Sequence, residues 1–408
     1  MAGQRPQVEG EGPPVFEHVV GGELPLSPDE ARRWLDQPGG GEDSGPIQGV
    51  CRLFGGAPEN AVWLRFGRSV LGIALDLAGV GAETKVAMPS YQCKVVFDKT
   101  LSRCASLLFY QLRADLAPDE EGFLDAAGRA GAVVTCAYFG SAGLDDRLAA
   151  LGRRLRSLAN APWIIEDRAM AFPAPVSPAD AAARCDFLMY SLRKTYPVPD
   201  GAPLVACSER AREALSTWRA AAPGPAPDEP EGPLRVKVLA KVKRHAWVTS
   251  RPPVDDPGLN GLRESVASES LISAMDADNR ADARPGSRAS AAYILARDLA
   301  RDGRTVRDRS RAFVEALRHT LRGTFPLRDC TGIAVPVLLD GRGDFLANGR
   351  AQGIFLPAHW PRDETVPLGA DVRRWYEAEI GLPTLPASPP EDVEYLIRRL
   401  AALYTKDR

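Results

Sequence analysis

Short apolar runs separated by helical patterns constrain the fold of this chain more than any other feature. The runs occupy residues 85–89, 107–112, 132–139, 163–166, 187–191 and 204–207. They are continuous and do not alternate with polar residues, which is typical of strands buried on both faces. A helical pattern at 144–158 lies between two of them. This alternation predicts an α/β fold in which helices flank a mostly parallel sheet.

Changes in composition along the chain predict its domain organisation. Residues 1–60 are rich in Gly, Pro and acidic residues, which indicates a loosely ordered leader. Residues 61–285 are expected to form a large cofactor-binding domain with a Pro-rich loop near 223–257. Residues 286–408 contain two helical patterns, a strand and a final helix, and they predict a smaller C-terminal α+β domain.

The overall composition excludes several classes of protein. The formal net charge of −2 gives no reason to expect a nucleic-acid partner. The seven cysteines show no C-x-x-C or other metal-type spacing, so we expect no metal site and a reducing, cytoplasmic location. No stretch reaches the roughly 18 apolar residues that a membrane span needs.

A candidate anion site precedes a helical pattern near residue 70. Gly67, Arg68 and Ser69 stand at the start of this pattern. Glycine lets the backbone approach a ligand closely, and the free N–H groups of a helix start attract an anion. Taken alone, the segment is better explained as an ordinary helix start.

An acidic residue and a lysine follow two of the apolar runs. Asp167 directly follows the run at 163–166. In α/β folds, ligands bind at the carboxyl ends of the parallel strands. Opposite a pyridine nitrogen, its carboxylate would keep that nitrogen protonated, although a helix N-cap is the common alternative. Lys194 follows the run at 187–191 and could form a Schiff base, although an exposed loop lysine is the usual alternative.

The order of these three features predicts the cofactor. A phosphate cradle, an acid at a strand end and a lone amine are what a protein needs in order to hold pyridoxal 5′-phosphate. Ser191 could donate its hydroxyl to the same phosphate. A plain dinucleotide-binding domain is a weaker explanation, because no G-x-G-x-x-G follows an early strand.

Several segments resemble the DegT/StrS-type sugar aminotransferases, a branch of the fold-type-I pyridoxal phosphate enzymes. The similar segments are 66–81, 85–93, 138–140, 164–172, 190–205, 357–361 and 381–400. The resemblance implies amino transfer from an amino-acid donor to a keto-sugar or another small ketone in a biosynthetic pathway. It also implies a homodimer whose two chains share the active site.

The resemblance assigns roles to individual residues. Asp167 matches the acid below the pyridinium nitrogen, and Lys194 matches the lysine that binds the cofactor aldehyde. The phosphate contacts of the family correspond to Gly67, Arg68, Ser69 and Ser191.

Two positions depart from the family pattern. Met170 stands where the family usually has Gln or His, and its thioether is a poor partner for the phenolic oxygen of the cofactor. Cys93 stands where an aromatic residue commonly stacks on the ring, and Tyr91 is the alternative stacking residue. These departures leave two alternatives open: elimination, aldol or carbon–carbon bond chemistry on the same cofactor, and a catalytically silent binding protein with the same fold.

Two further segments are candidates for substrate contacts. His359 and Trp360 lie in a Pro-bounded turn and could line a substrate pocket, although a packed turn is the preferred interpretation. The basic stretch 235–244 is interpreted as a solvated loop face. It could instead attract a phosphorylated substrate, or supply a lysine near the cofactor of a neighbouring subunit.

Overall fold

The computed structural model describes residues 20–21, 24–35, 45–221, 233–249, 283–321, 323–327 and 329–405, and every structural statement concerns these residues. Much of the predicted leader and two parts of the predicted Pro-rich loop, 223–232 and 250–257, lie outside them.

A seven-stranded sheet forms the centre of the molecule, as the apolar runs predict. The strands in chain order are β1 (Val20–Gly21), β2 (Ala61–Leu64), β3 (Lys85–Pro89), β4 (Ser106–Tyr110), β5 (Ala132–Cys136), β6 (Trp163–Asp167), β7 (Phe187–Met189), β8 (Ala202–Ala206), β9 (Ala334–Leu338), β10 (Ile354–Phe355) and β11 (Glu379–Pro383). The large sheet has the order β2-β8-β7-β6-β5-β3-β4. Neighbours from β7 to β4 are parallel, whereas β8 is antiparallel to both β7 and β2.

Helices cover both faces of this sheet. In chain order they are α1 (Pro28–Leu35), α2 (Gly45–Gly55), α3 (Gly67–Leu77), α4 (Lys94–Leu101), α5 (Glu120–Gly128), α6 (Ala142–Arg156), α7 (Pro178–Arg184), α8 (Glu209–Ala221), α9 (Pro233–Thr249), α10 (Arg288–Leu295), α11 (Leu299–Leu317), α12 (Arg342–Arg350), α13 (Ala370–Ala378) and α14 (Glu391–Thr405). Successive residues of β5 belong to two separate apolar clusters: Val133 to one, and Ala132 and Val134 to the other. Burial on both faces is the reason that the strands are continuously apolar.

A smaller antiparallel pair lies in the C-terminal part of the chain. β9 pairs with β11, and α11 and α13 pack beside them. The strand predicted at 333–339 corresponds to β9. None of the described helices combines the length and apolarity needed to cross a bilayer.

The structure corrects two expectations about loosely ordered segments. Within the predicted leader, α2 buries Val50, Cys51 and Phe54, so this part is helical and packed. The basic stretch 235–244 lies on α9 and is not a solvated loop. Three of its cations are buried on one helical face: Lys237, Lys241 and Arg244.

A pair of glycines in α6 provides a test of how closely α6 and α7 pack. A β-carbon at Gly152 would overlap the backbone of Arg184, whereas one at Gly143 would meet nothing within 4 Å. We expect Gly152→Ala to lower the free energy of unfolding by about 1–3 kcal/mol through overpacking. Gly143→Ala should raise it by up to about 1 kcal/mol, because alanine favours helix. Thermal and denaturant unfolding would measure both, and equal effects would contradict the tight α6–α7 contact.

Candidate active site

A cavity of about 160 Å³ lies where β6 and β7 end and where α3 and α4 begin. It therefore lies at the carboxyl edge of the parallel strands, where α/β folds bind ligands. Its lining residues are Phe66, Gly67, Arg68, Leu71, Gln92, Cys93, Val95, Val96, Asp167, Ala169, Met189, Ser191, Arg193, Lys194 and Lys237.

The start of α3 forms one end of the cavity. Phe66, in an extended conformation, is the N-cap of α3, and its side chain makes no capping hydrogen bond. The first N–H groups of a helix have no partner within the helix, so they suit an anion. A β-carbon at Gly67 would lie 3.4 Å from the Cβ of Ser191. Glycine thus allows the helix start and the segment after β7 to meet.

Two cations flank Phe66 at this end. The Cζ atom of Arg68 lies 5.4 Å from the centroid of the Phe66 ring, and the Nζ atom of Lys237 lies 5.0 Å from the same centroid. Arg193 and Lys194 also line the cavity, whereas Asp167 is the one acidic residue among the described residues of the lining. This excess of positive charge favours an anionic ligand.

Asp167 ends β6 and is buried. Its Oδ1 accepts a hydrogen bond of 2.8 Å from the Ala169 N–H, and its Oδ2 accepts one of 3.4 Å from Nε2 of Gln92. Burial is the largest effect and raises the pKa of this carboxyl above its usual value, although the charge of Lys194 and the two N–H donors act to lower it. Asp167 and Lys194 therefore face one cavity and act on each other electrostatically.

The turn that carries Lys194 is fixed by the neighbouring strand. Lys194 ends a 3₁₀ turn, Leu192–Lys194, that directly follows the end of β7. The Leu192 N–H donates to the carbonyl of Gly201 at 3.0 Å. Gly201 has a φ of 109° and lies against the Trp63 ring, where a side chain would not fit. The hydrogen bond to Gly201 and the packing of Gly201 on Trp63 therefore restrict the backbone of the turn that carries Lys194.

Tyr91 and Met170, the predicted cofactor contacts, both lie outside the lining of this cavity. The Tyr91 hydroxyl donates to the His359 carbonyl at 2.7 Å, and its ring packs 4.9 Å from that of Trp360. Met170 is buried in the core. The Ser69 side chain is buried in the first turn of α3 and lies outside the lining set.

Gln92 is a lining residue that the sequence analysis missed. It lies between Tyr91 and Cys93, in the connection from β3 to α4. Cys93 does line the cavity, and its N–H donates to Oε1 of Gln92 at 2.8 Å. The signal in the sequence was the position of Gln92 just beyond the carboxyl end of a parallel strand.

His359 and Trp360 form a packed turn outside this cavity. Glu379 is fully buried and accepts the His359 N–H at 2.7 Å, and its other oxygen lies 2.9 Å from Nδ1 of His359. Trp360 has a φ of 94°, which is rare for a residue other than glycine. The buried carboxylate and the aromatic contacts hold this strained turn in place.

Comparisons with known proteins identify the fold. No protein-family model matches the chain, and a comparison with curated proteins finds no significant match. Solved structures do match. Spr1654 from Streptococcus pneumoniae, assigned as a sugar aminotransferase, has a TM-score of 0.64 in its PLP form at 12% identity, covering 95% of this chain and 99% of that one.

Two other solved structures give the same result. The sugar aminotransferase CalS13 from Micromonospora echinospora has a TM-score of 0.62 at 14% identity and covers 95% of this chain and 99% of that one. A DegT DnrJ EryC1 StrS aminotransferase from Brucella abortus has a TM-score of 0.59 at 14% identity, covering 92% and 95%. The chain has the fold of these aminotransferases. The predicted fold-type-I class is confirmed.

Tyr91→Phe tests the placement of Tyr91 outside the cavity of this aminotransferase fold. It removes the hydrogen bond to the His359 carbonyl and should lower the free energy of unfolding by about 1 kcal/mol. Affinity for pyridoxal 5′-phosphate should not change. Tyr110→Phe is the matched control, because the Tyr110 hydroxyl donates to the Val134 carbonyl at 2.8 Å within the sheet. Cofactor binding that is weaker in Tyr91→Phe than in this control would contradict the assignment.

Proposed function

We propose that this protein is a pyridoxal 5′-phosphate-dependent aminotransferase. It would move an amino group from an amino-acid donor to a keto-sugar or another small ketone. The observation that carries this proposal is the convergence of Lys194, Asp167 and the start of α3 on one cavity. The similarity to sugar aminotransferases supports it, and Spr1654 has been solved in both a PLP form and a PMP form.

The residues of the cavity fit this cofactor. Gly67, at the start of α3, lines the cavity, and Arg68 and Lys237 add positive charge for a phosphate. Asp167 offers a buried carboxylate for a protonated ring nitrogen. Lys194 supplies the amine that would hold the aldehyde covalently.

The proposed mechanism divides the chemistry between the cofactor and two side chains. When bound, pyridoxal phosphate supplies an electron-accepting ring that stabilises the negative charge left when an amino acid loses its Cα proton. Asp167, in its ionised form, would keep the ring nitrogen protonated and so strengthen this effect. Lys194 would hold the cofactor and, with its amine free once the donor is bound, would accept and carry the proton lost from the donor Cα.

The rest of the cavity suits the two substrates. Arg193 provides a positive charge beside Lys194 for a donor carboxylate. Leu71, Val95 and Val96 supply apolar surface for the carbon framework of a ketone acceptor.

We also propose that the enzyme is a cytoplasmic homodimer in which a second copy completes the site. Val95 lines the cavity and yet is 40% exposed, so the wall of the cavity reaches the surface at this residue. A second chain that covers this residue would complete the wall of the cavity. All seven cysteines are free thiols, which agrees with a reducing compartment.

Borohydride trapping tests the role of Lys194. The purified protein with pyridoxal phosphate should absorb visible light, and borohydride should fix the cofactor to Lys194, as located by peptide mass mapping. Lys194→Ala should lose the adduct and lower kcat at least about 100-fold. Lys94→Ala is the control, because the Lys94 amine is exposed and paired with Asp98 on α4. An adduct at another lysine would overturn the assignment.

The same spectra distinguish amino transfer from other chemistry on this cofactor. Adding glutamate or another amino donor should convert the visible band to that of the pyridoxamine form, with release of the matching keto acid. If several donors leave the band unchanged while the adduct at Lys194 still forms, the elimination, aldol or carbon–carbon bond alternative replaces transfer.

Lys237→Met tests the cation that α9 contributes to the phosphate end of the cavity. Loss of one charged phosphate contact should weaken pyridoxal phosphate binding by about 10- to 100-fold. Binding of pyridoxal, which has no phosphate, should change little. Lys243→Met is the matched control, because Lys243 is exposed on the same helix. Equal losses for the two ligands would place Lys237 away from the phosphate.

A further inference from the structure

The side-chain amide of Gln92 has a fixed orientation. Gln92 is buried, and its Oε1 accepts the backbone N–H of Cys93 at 2.8 Å. The amide nitrogen must therefore point the other way, and it lies 3.4 Å from Oδ2 of Asp167. Because an N–H cannot accept a hydrogen bond, the Cys93 donor decides which end of the amide faces the carboxylate.

A tyrosine from the C-terminal part of the chain holds the turn that carries Gln92. The Gln92 N–H donates to the Tyr376 hydroxyl at 3.1 Å, and this hydroxyl lies 3.2 Å from the carbonyl oxygens of Ser90 and Gln92. Tyr376 lies on α13, outside the central sheet. Residues 90–92 are thus attached both to the cavity and to α13.

We propose that Gln92 is a positioning residue that holds the Asp167 carboxylate ionised and turned toward the cavity, and that Tyr376 fixes the turn from which it acts. The Ala169 N–H already occupies Oδ1 of Asp167, so Gln92 is the donor that occupies Oδ2. The inference rests on the proposed function, because that function makes Asp167 the partner of the cofactor ring nitrogen.

Other charged or titratable groups near Asp167 also affect its ionisation. Lys194 favours the ionised carboxylate, whereas Glu166 on the same strand opposes it. Burial raises the pKa of the Cys136 thiol on β5 well above its ordinary value, so this neighbour stays neutral. The further cations that line the cavity are Arg68, Arg193 and Lys237.

The direction of the effect on pH dependence follows from the hydrogen bond. A donor to the carboxylate stabilises its ionised form, so removing the donor raises the pKa of Asp167. The carboxyl then becomes neutral at a higher pH. Cofactor affinity should fall at low pH, where Asp167 is protonated, and we call this part of the affinity–pH profile the acid limb. In a variant that lacks the donor, the acid limb should therefore move to higher pH.

The test compares cofactor affinity across pH in two variants. Gln92→Met keeps the side-chain length but removes the donor, and its acid limb should move up by about half to one pH unit. Tyr376→Phe keeps the amide and removes the hydroxyl that fixes the turn, so we expect a smaller move in the same direction. Dissociation constants for pyridoxal phosphate, measured by equilibrium dialysis, give the limb without any assay of turnover.

Two controls identify the limb and exclude a general structural effect. In the Asp167→Asn background the limb should be absent, and adding Gln92→Met should then move nothing. Gln111→Met removes an amide that bridges the Gly369 N–H and the Pro367 carbonyl outside the cavity, and it should leave the limb in place.

The possible failures are distinguishable. If the wild type binds no pyridoxal phosphate and gives no adduct at Lys194, the proposed function fails. If the wild type binds and Gln92→Met keeps the wild-type limb, the role of Gln92 is overturned while the function stands. If Gln92→Met does not fold, an unmoved limb in Tyr376→Phe overturns the role of the turn.

Discussion

The attraction between the charges of Asp167 and Lys194 across one cavity is the interaction on which the active site depends. Burial alone would favour a neutral carboxyl at Asp167, and the nearby lysine opposes that tendency. Asp167 ends β6, and Lys194 lies in the turn after β7, the parallel strand beside it, so the sheet brings the two groups to one edge. A cofactor ring placed between them would meet an amine at one edge and a carboxylate at the other.

A buried ionic network supports the strand that carries Asp167. Glu166 accepts hydrogen bonds from Arg168 at 2.6 Å and from Arg184 at 2.7 Å, and both arginines also contact Asp145. Burial raises the pKa of Asp145, but the two arginines together hold it below its usual value. Successive strand residues point to opposite faces of the sheet, so Glu166 anchors β6 on one face while Asp167 is turned to the other. Removing one partner would leave buried charge uncompensated, which is strongly destabilising.

The central sheet and the two residues Asp167 and Lys194 can be predicted from the sequence, and the same physical reason explains both. Strands buried on both faces must be continuously apolar, so their ends are visible in the sequence, and residues at those ends face the ligand. Met170 shows where such reasoning stops. Three residues beyond the acid, the chain has left β6 and turned, so Ala169 faces the cavity and Met170 faces the core.

Gln92 and α9 escaped prediction for different reasons. Gln92 carries no charge, and its importance comes from its amide contact with Asp167 and from the attachment of its turn to Tyr376, both of which are distant in sequence. The sequence does not predict α9 as a packed helix, because the helix buries cations on its inner face. The usual sign of a packed helix is an apolar stripe. The proline-rich sequence on either side of α9 also favours the prediction of a loop.

The buried cations of α9 link the packing of this helix to the binding of an anion in the cavity. Lys241 donates to the Leu24 carbonyl at 2.9 Å, and the Cζ atom of Arg244 lies 5.5 Å from the centroid of the Phe355 ring on β10, so polar and aromatic contacts hold the helix in place. Four residues before Lys241, Lys237 contributes its charge to the cavity. Any anion that gains affinity from Lys237 must, by thermodynamic linkage, stabilise the seated helix by the same free energy.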